Sequence, residues 1–138
     1  MRLTTTEIQY LSLFSKVTGA YAKDCLVGRN SVVFVVGQGE MGAAIGKKGA
    51  NVKKLEQTLG KHVELVEFAP DPVQFIKNIF SPANVKNVNI VDRNGSKVAY
   101  VMIDPKDRGA LGRRLDSKLR LARLLASRHF GISNVVVT

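Results

Sequence analysis

This chain of 138 residues predicts a mixed α/β (α+β) fold in which one unit is built twice, and three observations carry that expectation. The run Ala44-Ile45-Gly46-Lys47-Lys48-Gly49 is echoed without a gap by Ala110-Leu111-Gly112-Arg113-Arg114-Leu115, 66 positions on (110 − 44). The apolar strands ahead of the two runs, Val32-Val33-Phe34-Val35-Val36 and Val98-Ala99-Tyr100-Val101-Met102, align at the same offset. In both halves the apolar pattern switches between helical and alternating periods in one order, helix-strand-strand-helix-helix-strand. Two units follow, residues 1–69 and 70–138, joined by Ala69-Pro70-Asp71-Pro72, whose prolines stiffen the joint.

The elements come in sequence as follows. Thr4-x-x-Glu7 is a capping-box pattern, and Ile8, Leu11, Leu13, Phe14 and Val17 form the apolar stripe of a helix that Gly19 ends. Arg2, that stripe and Ala20-Tyr21-Ala22 mimic a secretory signal, but Gln9, Ser12, Ser15 and Lys16 interrupt it and the spacing is helical, so a folded helix is expected. Cys25 to Val27 and Ser31 to Val36 read as strands around a Gly28-Arg29-Asn30 turn. A short helical turn ending near Ile45 precedes the Gly46–Gly49 loop. The next helix sets Val52, Leu55 and Leu59 on one face, with Lys53, Lys54, Glu56 and Gln57 facing away and Gly60 at its end. His62 to Phe68 is a strand.

The second unit opens with Asp71-Pro72, a helix start, followed by Val73, Phe75, Ile76, Ile79 and Phe80 and stopped by Pro82. Val85 to Val91 and Lys97 to Ile103 are strands joined through Asn94-Gly95, a strong hairpin signal. A short helix, the Gly112 loop, a long helix to about Phe130 and a strand from Asn134 to Val137 complete it.

Charge narrows the function. Lys and Arg number 21 against 11 Asp and Glu, a net +10, and such an excess points to a polyanionic partner. No apolar run approaches membrane-spanning length, so no membrane partner is expected. The single cysteine, Cys25, permits no intramolecular disulfide and reads as a small core residue, which fits a reducing, cytoplasmic setting.

Gly46-Lys47-Lys48-Gly49 is the candidate site. A turn between two helices presents the N-terminus of the second, where free N–H groups and the dipole favour an anion. Glycines at both ends permit positive φ and let a sugar-phosphate chain approach without a side chain in the way. Lys47 and Lys48 supply the charge. Gly37-Gln38-Gly39-Glu40-Met41-Gly42 also matches the dinucleotide fingerprint G-x-G-x-x-G. That match is set aside: Ile103 to Arg108 holds none of those glycines in the second copy, and Gly46 interrupts the following helix after about one turn. A nucleotide-cofactor enzyme using Gly37–Gly42 stays as the remote alternative. A P-loop is excluded, because three residues, not four, separate Gly42 from Gly46 and Lys48 follows Lys47.

The pattern Ile45-Gly46-Lys47-Lys48-Gly49-Ala50-Asn51-Val52 resembles the G-x-x-G core of a KH domain, and a unit that begins helix-strand-strand resembles the type II arrangement. Two such copies, joined by Ala69 to Ile76 and continuing through Phe80-Ser81-Pro82-Ala83, are similar to the paired KH region of NusA-like transcription factors, in the short archaeal layout. The resemblance implies two tandem type II KH domains and binding of single-stranded RNA during transcription elongation, termination or antitermination. It implies no enzymatic activity, no cofactor and no metal. A KH protein of the ribosome or of ribosome maturation is the alternative, and a protein-docking role for the second copy a third. RNA polymerase or ribosome-associated factors are the protein partners these readings imply, and a monomer is expected.

In KH domains the loop clamps the backbone of about four nucleotides while bases lie in a groove between helices and sheet edge. Carried over, Gly46, Lys47, Lys48 and Gly49 form the clamp, Ile45 belongs to the groove floor, and Asn51 is expected among the RNA contacts. Val52 is a second candidate for that floor, with the core as the favoured reading. Lys53 and Lys54 either touch a neighbouring phosphate or form a wet helix face. In the second copy Leu115 replaces the closing glycine and Asp116 follows, repelling phosphate or capping the next helix, so Gly112-Arg113-Arg114 is a reshaped clamp. Its long helix, with Lys118, Arg120, Arg123 and Arg128, extends the basic surface.

Catalytic candidates are few. His62 and His129 sit in different copies without metal-ligand spacing and read as surface or capping residues; Asp104 and Asp107 read as caps. The three tyrosines and six phenylalanines are expected mostly on core faces, leaving no aromatic stacking platform.

Overall fold

A computed structural model describes residues 3–138. Arg2, the charged residue of the signal-like start, lies outside the described residues. The chain divides into two compact units that meet at Ala69 and Pro70. The first runs α1 (Thr5–Thr18), β1 (Ala22–Val27), β2 (Ser31–Val36), α2 (Met41–Ile45), α3 (Ala50–Leu59) and β3 (His62–Glu67). The second runs α4 (Pro72–Phe80), β4 (Val85–Arg93), β5 (Ser96–Ile103), α5 (Pro105–Leu111), α6 (Arg114–Phe130) and β6 (Asn134–Val137). Each unit holds one three-stranded sheet whose central strand, β2 or β5, is antiparallel to the preceding strand and parallel to the last. The order helix-strand-strand-helix-helix-strand therefore occurs twice, as expected from the apolar pattern.

Local chemistry sets the boundaries. The Thr4 hydroxyl accepts from the Glu7 N–H and the Glu7 carboxylate accepts from the Thr4 N–H, closing the capping box of α1. Gly19 ends that helix in the left-handed region. Asp71 caps α4 by accepting from the Val73 N–H, with Pro72 in the first turn. Asn94 and Gly95 both take positive φ, 56° and 87°, as a tight hairpin between β4 and β5 requires.

In the first unit β2 turns Val32, Phe34 and Val36 into a core with Phe14, Cys25, Ala44, Leu55 and Val63. Phe14 stacks on Phe34, ring centroids 4.7 Å apart. Val52 packs against that core, and Cys25 is a fully buried member of it, as read from the sequence. In the second unit α4 buries Phe75, Ile76, Ile79 and Phe80.

Four details depart from expectation. Tyr21 is 60% exposed, because it lies in the turn before β1, where its backbone, not its ring, is held: its N–H donates to Glu40 and its carbonyl accepts from the Gly37 N–H. Glu56 does not face away but is half-buried, accepting from the Val63 N–H at 3.0 Å and lying 3.2 Å from the exposed His62. His129 is half-buried and packs edge-on to Phe75, neither at the surface nor in a cap. Asp104 caps α5 as expected, whereas Asp107 reaches back to accept from the Asn84 N–H.

The internal repeat has a limit. Val33 pairs with Glu64 and Ala99 with Val135, so the offset grows from 66 (99 − 33) to 71 (135 − 64) between the central strand and the last. The extra residues are taken up in α6, 17 residues against 10 in α3.

Candidate nucleic-acid interface

The first corner begins where α2 ends, with the Gly46 N–H donating to the Gly42 carbonyl. Gly46 then takes φ 76° and ψ 171°, a combination essentially restricted to glycine. A 3₁₀ turn at Lys47–Gly49 follows, closed by the Gly49 N–H on the Gly46 carbonyl. Within it Lys48 sits at φ 55° and ψ 31°, and Gly49 at φ 74°. Holding a lysine in the left-handed region costs about 1–2 kcal/mol, so the corner is a fixed shape that its surroundings must maintain.

The corner projects charge. Lys47 and Lys48 are both exposed, and among the described residues neither forms an ion pair. Lys53 and Lys54, one turn on in α3, are exposed as well. No acidic residue interrupts the chain between Met41 and Leu55, a stretch that holds four exposed lysines. No side chain caps the N-terminus of α3; the Ala50 N–H instead donates to the Lys47 carbonyl, and the positive end of the helix dipole lies at the corner. Ile45, 40% exposed, adds an apolar patch beside the loop.

The two glycines differ in what they make room for. A Cβ on Gly49 would meet nothing within 4 Å, so its face is open to an incoming chain. A Cβ on Gly46 would stand 2.8 Å from the Asn51 side chain and 3.0 Å from the Asn51 nitrogen. The missing side chain of Gly46 thus makes room for Asn51, not for a ligand, which corrects the symmetrical role expected for the pair. Asn51 itself reaches back across the corner, its amide donating to the Ala43 carbonyl at 2.8 Å.

The second corner has a different shape. Only Gly112 takes positive φ, 53°; Arg113 is already helical, and α6 starts at Arg114. Leu115, unable to occupy the left-handed region cheaply, is absorbed into the helix. Asp116 is not the cap: it lies inside the first turn, where its charge suits the dipole. Arg113, Arg114 and Arg120 are exposed. Lys118 and Arg123 are committed elsewhere, donating to the Ser81 and Val135 carbonyls at 3.1 and 3.0 Å.

The Gly37–Gly42 stretch does not form a phosphate cradle. The Glu40 carboxylate occupies the space a Gly37 side chain would fill, and α2 is only five residues long. Among the described residues no group of three or more His, Cys, Asp or Glu could hold a metal ion, and no helix is long and apolar enough to cross a membrane.

The model of the KH domain matches residues 8–94, more than half of the chain. The chain is 42% identical over 138 residues to the probable transcription termination protein NusA of Halobacterium salinarum, covering 100% of this chain and 99% of that one. The chain belongs to the KH-domain family, and within it to the NusA proteins of archaea. The probable NusA of Methanococcus vannielii is 38% identical over 141 residues, covering 99% of this chain and 79% of the relative. A solved structure, the crystal structure of APE1850, superposes with a TM-score of 0.85 at 35% identity, covering 99% of this chain and 100% of that one.

Within this NusA-like chain the structure brings Ile45, Gly46, Lys47, Lys48 and Gly49 together in one exposed corner, with Lys53 and Lys54 beside it. It sets Gly112, Arg113 and Arg114 in a second, tighter corner. Asn51, expected among the RNA contacts, instead gives its amide to the Ala43 carbonyl. The one trace of that bond in the repeat is that Ser117 stands at the corresponding position (51 + 66), where no such amide is available.

Proposed function

We propose that this NusA-like protein binds single-stranded RNA through the Gly46–Gly49 corner and acts in transcription termination or antitermination. The observation that carries the reading is the first corner itself, where exposed Lys47 and Lys48 stand beside an open glycine in a turn whose Gly46, Lys48 and Gly49 all take positive φ. A pair of lysines on a floppy segment would attract any polyanion; a pair whose backbone is held at the start of a helix suits the regular spacing of a sugar-phosphate chain. Ile45 offers an apolar surface against which a base can rest. The relatives named probable transcription termination protein NusA support the process.

In this reading the first unit is the clamp. Arg113, Arg114 and Arg120 of the second unit add phosphate charge without a glycine-walled loop, so that unit contributes affinity with less discrimination between RNA and other polyanions. RNA polymerase is the protein partner, the setting is the cytoplasm, and no catalytic step is assigned to any residue.

The test is titration of a short single-stranded RNA across a range of salt. If four to six phosphates are neutralised, log K falls against log salt with a slope of about −3 to −4, at about 0.7 per contact for single strands. The double substitution Lys47→Asp/Lys48→Asp is expected to abolish most binding and flatten that slope. A flat response in the unmodified protein, or unchanged RNA affinity in the double variant, would sink the reading. Co-purification with polymerase rather than with ribosomal subunits separates transcription from ribosome maturation.

A further inference from the structure

We infer that Asn51 is a positioning residue for the RNA clamp, setting the place of Lys47 and Lys48 without itself touching RNA; this rests on the RNA-binding reading of the same corner. Three observations converge on it. The Asn51 amide donates to the Ala43 carbonyl at 2.8 Å, across eight residues of sequence. Ala43 lies near the end of α2, where carbonyls lose their helical partners, so one side chain from the first turn of α3 satisfies the last turn of α2. The loop hangs between the two helix ends that this bond ties together. Gly46 then closes against the same side chain, since a Cβ there would stand 2.8 Å from both Cγ and Nδ2 of Asn51.

The second unit serves as an internal contrast. There Ser117, exposed and without a side-chain amide, occupies the equivalent place. In that corner only one residue has positive φ, against three in the first, and α6 begins two positions earlier in the repeat frame than α3, at Arg114 where the frame gives Asp116 (50 + 66). Where the amide clasp is present the loop stays open; where it is missing the chain has wound into the helix. The clasp adds a side-chain tie to the backbone bonds of the turn, Gly49 N–H to the Gly46 carbonyl and Ala50 N–H to the Lys47 carbonyl, that hold Lys48 in its left-handed conformation.

The experiment compares the full chain with Asn51→Ser, which copies the second unit, Asn51→Ala, Lys47→Ala/Lys48→Ala, and the combination of each Asn51 variant with the lysine pair. Circular dichroism confirms that each remains folded at the assay temperature. Loss of one hydrogen bond's worth of organisation predicts about a 3- to 10-fold weaker RNA affinity for either Asn51 variant. Because the lysines would be displaced, the salt slope should fall toward that of the lysine variant, and adding Asn51→Ser to that variant should weaken binding little further. A neutral side chain that contacts RNA directly would leave the slope unchanged and multiply its loss with that of the lysines, and that outcome overturns the proposal. So does an Asn51→Ser affinity equal to that of the parent. A readout without RNA separates this claim from the functional one: in ¹⁵N-edited spectra the Lys47, Lys48 and Gly49 amides should shift in Asn51→Ser while those of β2 stay in place. If those loop amides do not move, the positioning role is wrong whether or not the protein binds RNA. If they move but the parent shows no salt-dependent binding, the clasp stands as loop geometry, the RNA reading fails, and the positioning role for RNA falls with it.

Discussion

Replacing Gly46 by alanine should hurt this protein far more than replacing Gly49, although both glycines bracket the same two lysines. At Gly46 the backbone sits at φ 76° and ψ 171°, a region that costs a residue with a Cβ about 1–3 kcal/mol. The new methyl would also stand 2.8 Å from Asn51 Cγ and Nδ2, so Asn51 must swing away and give up its bond to Ala43, a loss of about 1 kcal/mol more. Less about 0.4–1 kcal/mol for the stiffer unfolded chain that either alanine brings, the net loss for Gly46→Ala is about 1–3.5 kcal/mol. At Gly49 the backbone is ordinary left-handed, φ 74° and ψ 17°, and nothing lies within 4 Å of the added methyl. There the conformational cost of about 1–2 kcal/mol is partly offset by the stiffer unfolded chain, about 0.4–1 kcal/mol, which leaves a net loss near 1 kcal/mol. Urea unfolding followed by far-ultraviolet circular dichroism measures both, since the chain has no tryptophan to follow by fluorescence. At equal m the Gly46→Ala midpoint should lie well below that of Gly49→Ala. Equal midpoints, or a Gly46→Ala protein as stable as its parent, would show that the corner is not held in the conformation described and would refute the reasoning.

Other outcomes follow from the same geometry. Leu115→Gly should not create a second open loop; it places glycine inside α6 and should cost about 1 kcal/mol in the same urea experiment. Thr4→Ala removes the capping box of α1 and should destabilise the protein by about 1 kcal/mol, read as a lower thermal midpoint. Lys118→Ala should make the salt slope of RNA binding shallower by less than the loss of one exposed arginine, because Nζ is directed at the Ser81 carbonyl. Arg113→Ala/Arg114→Ala should instead make the slope shallower by about 1.4, two contacts at about 0.7 each, if both exposed guanidiniums meet phosphate.

What could be read in advance was whatever depends on neighbours in the chain. Helix starts and stops at Thr4, Gly19, Asp71 and Gly60, the Asn94-Gly95 hairpin and the alternation of β2 are local properties of backbone and side chain, and they appear where the residues place them. The doubled order of elements followed from the same signals seen twice. The resemblance carried by Ile45 to Val52 pointed to the KH family, and the matches to archaeal NusA proteins agree.

Other features depended on contacts between residues far apart in sequence. Glu56 reads as a solvated helix position until β3 brings the Val63 N–H within reach of its carboxylate. Lys118 and Arg123 read as free cations until the Ser81 and Val135 carbonyls arrive beside them. Gly46 and Gly49 look interchangeable as letters, yet one makes room for Asn51 and the other faces open space. Composition and periodicity thus determined which elements form, their order and the sign of the surface charge, because those follow from backbone preference and charge count. Which lysines remain free, which glycine is open and which corner keeps its loop were decided only by the fold, because each turns on a partner atom that only tertiary packing brings near.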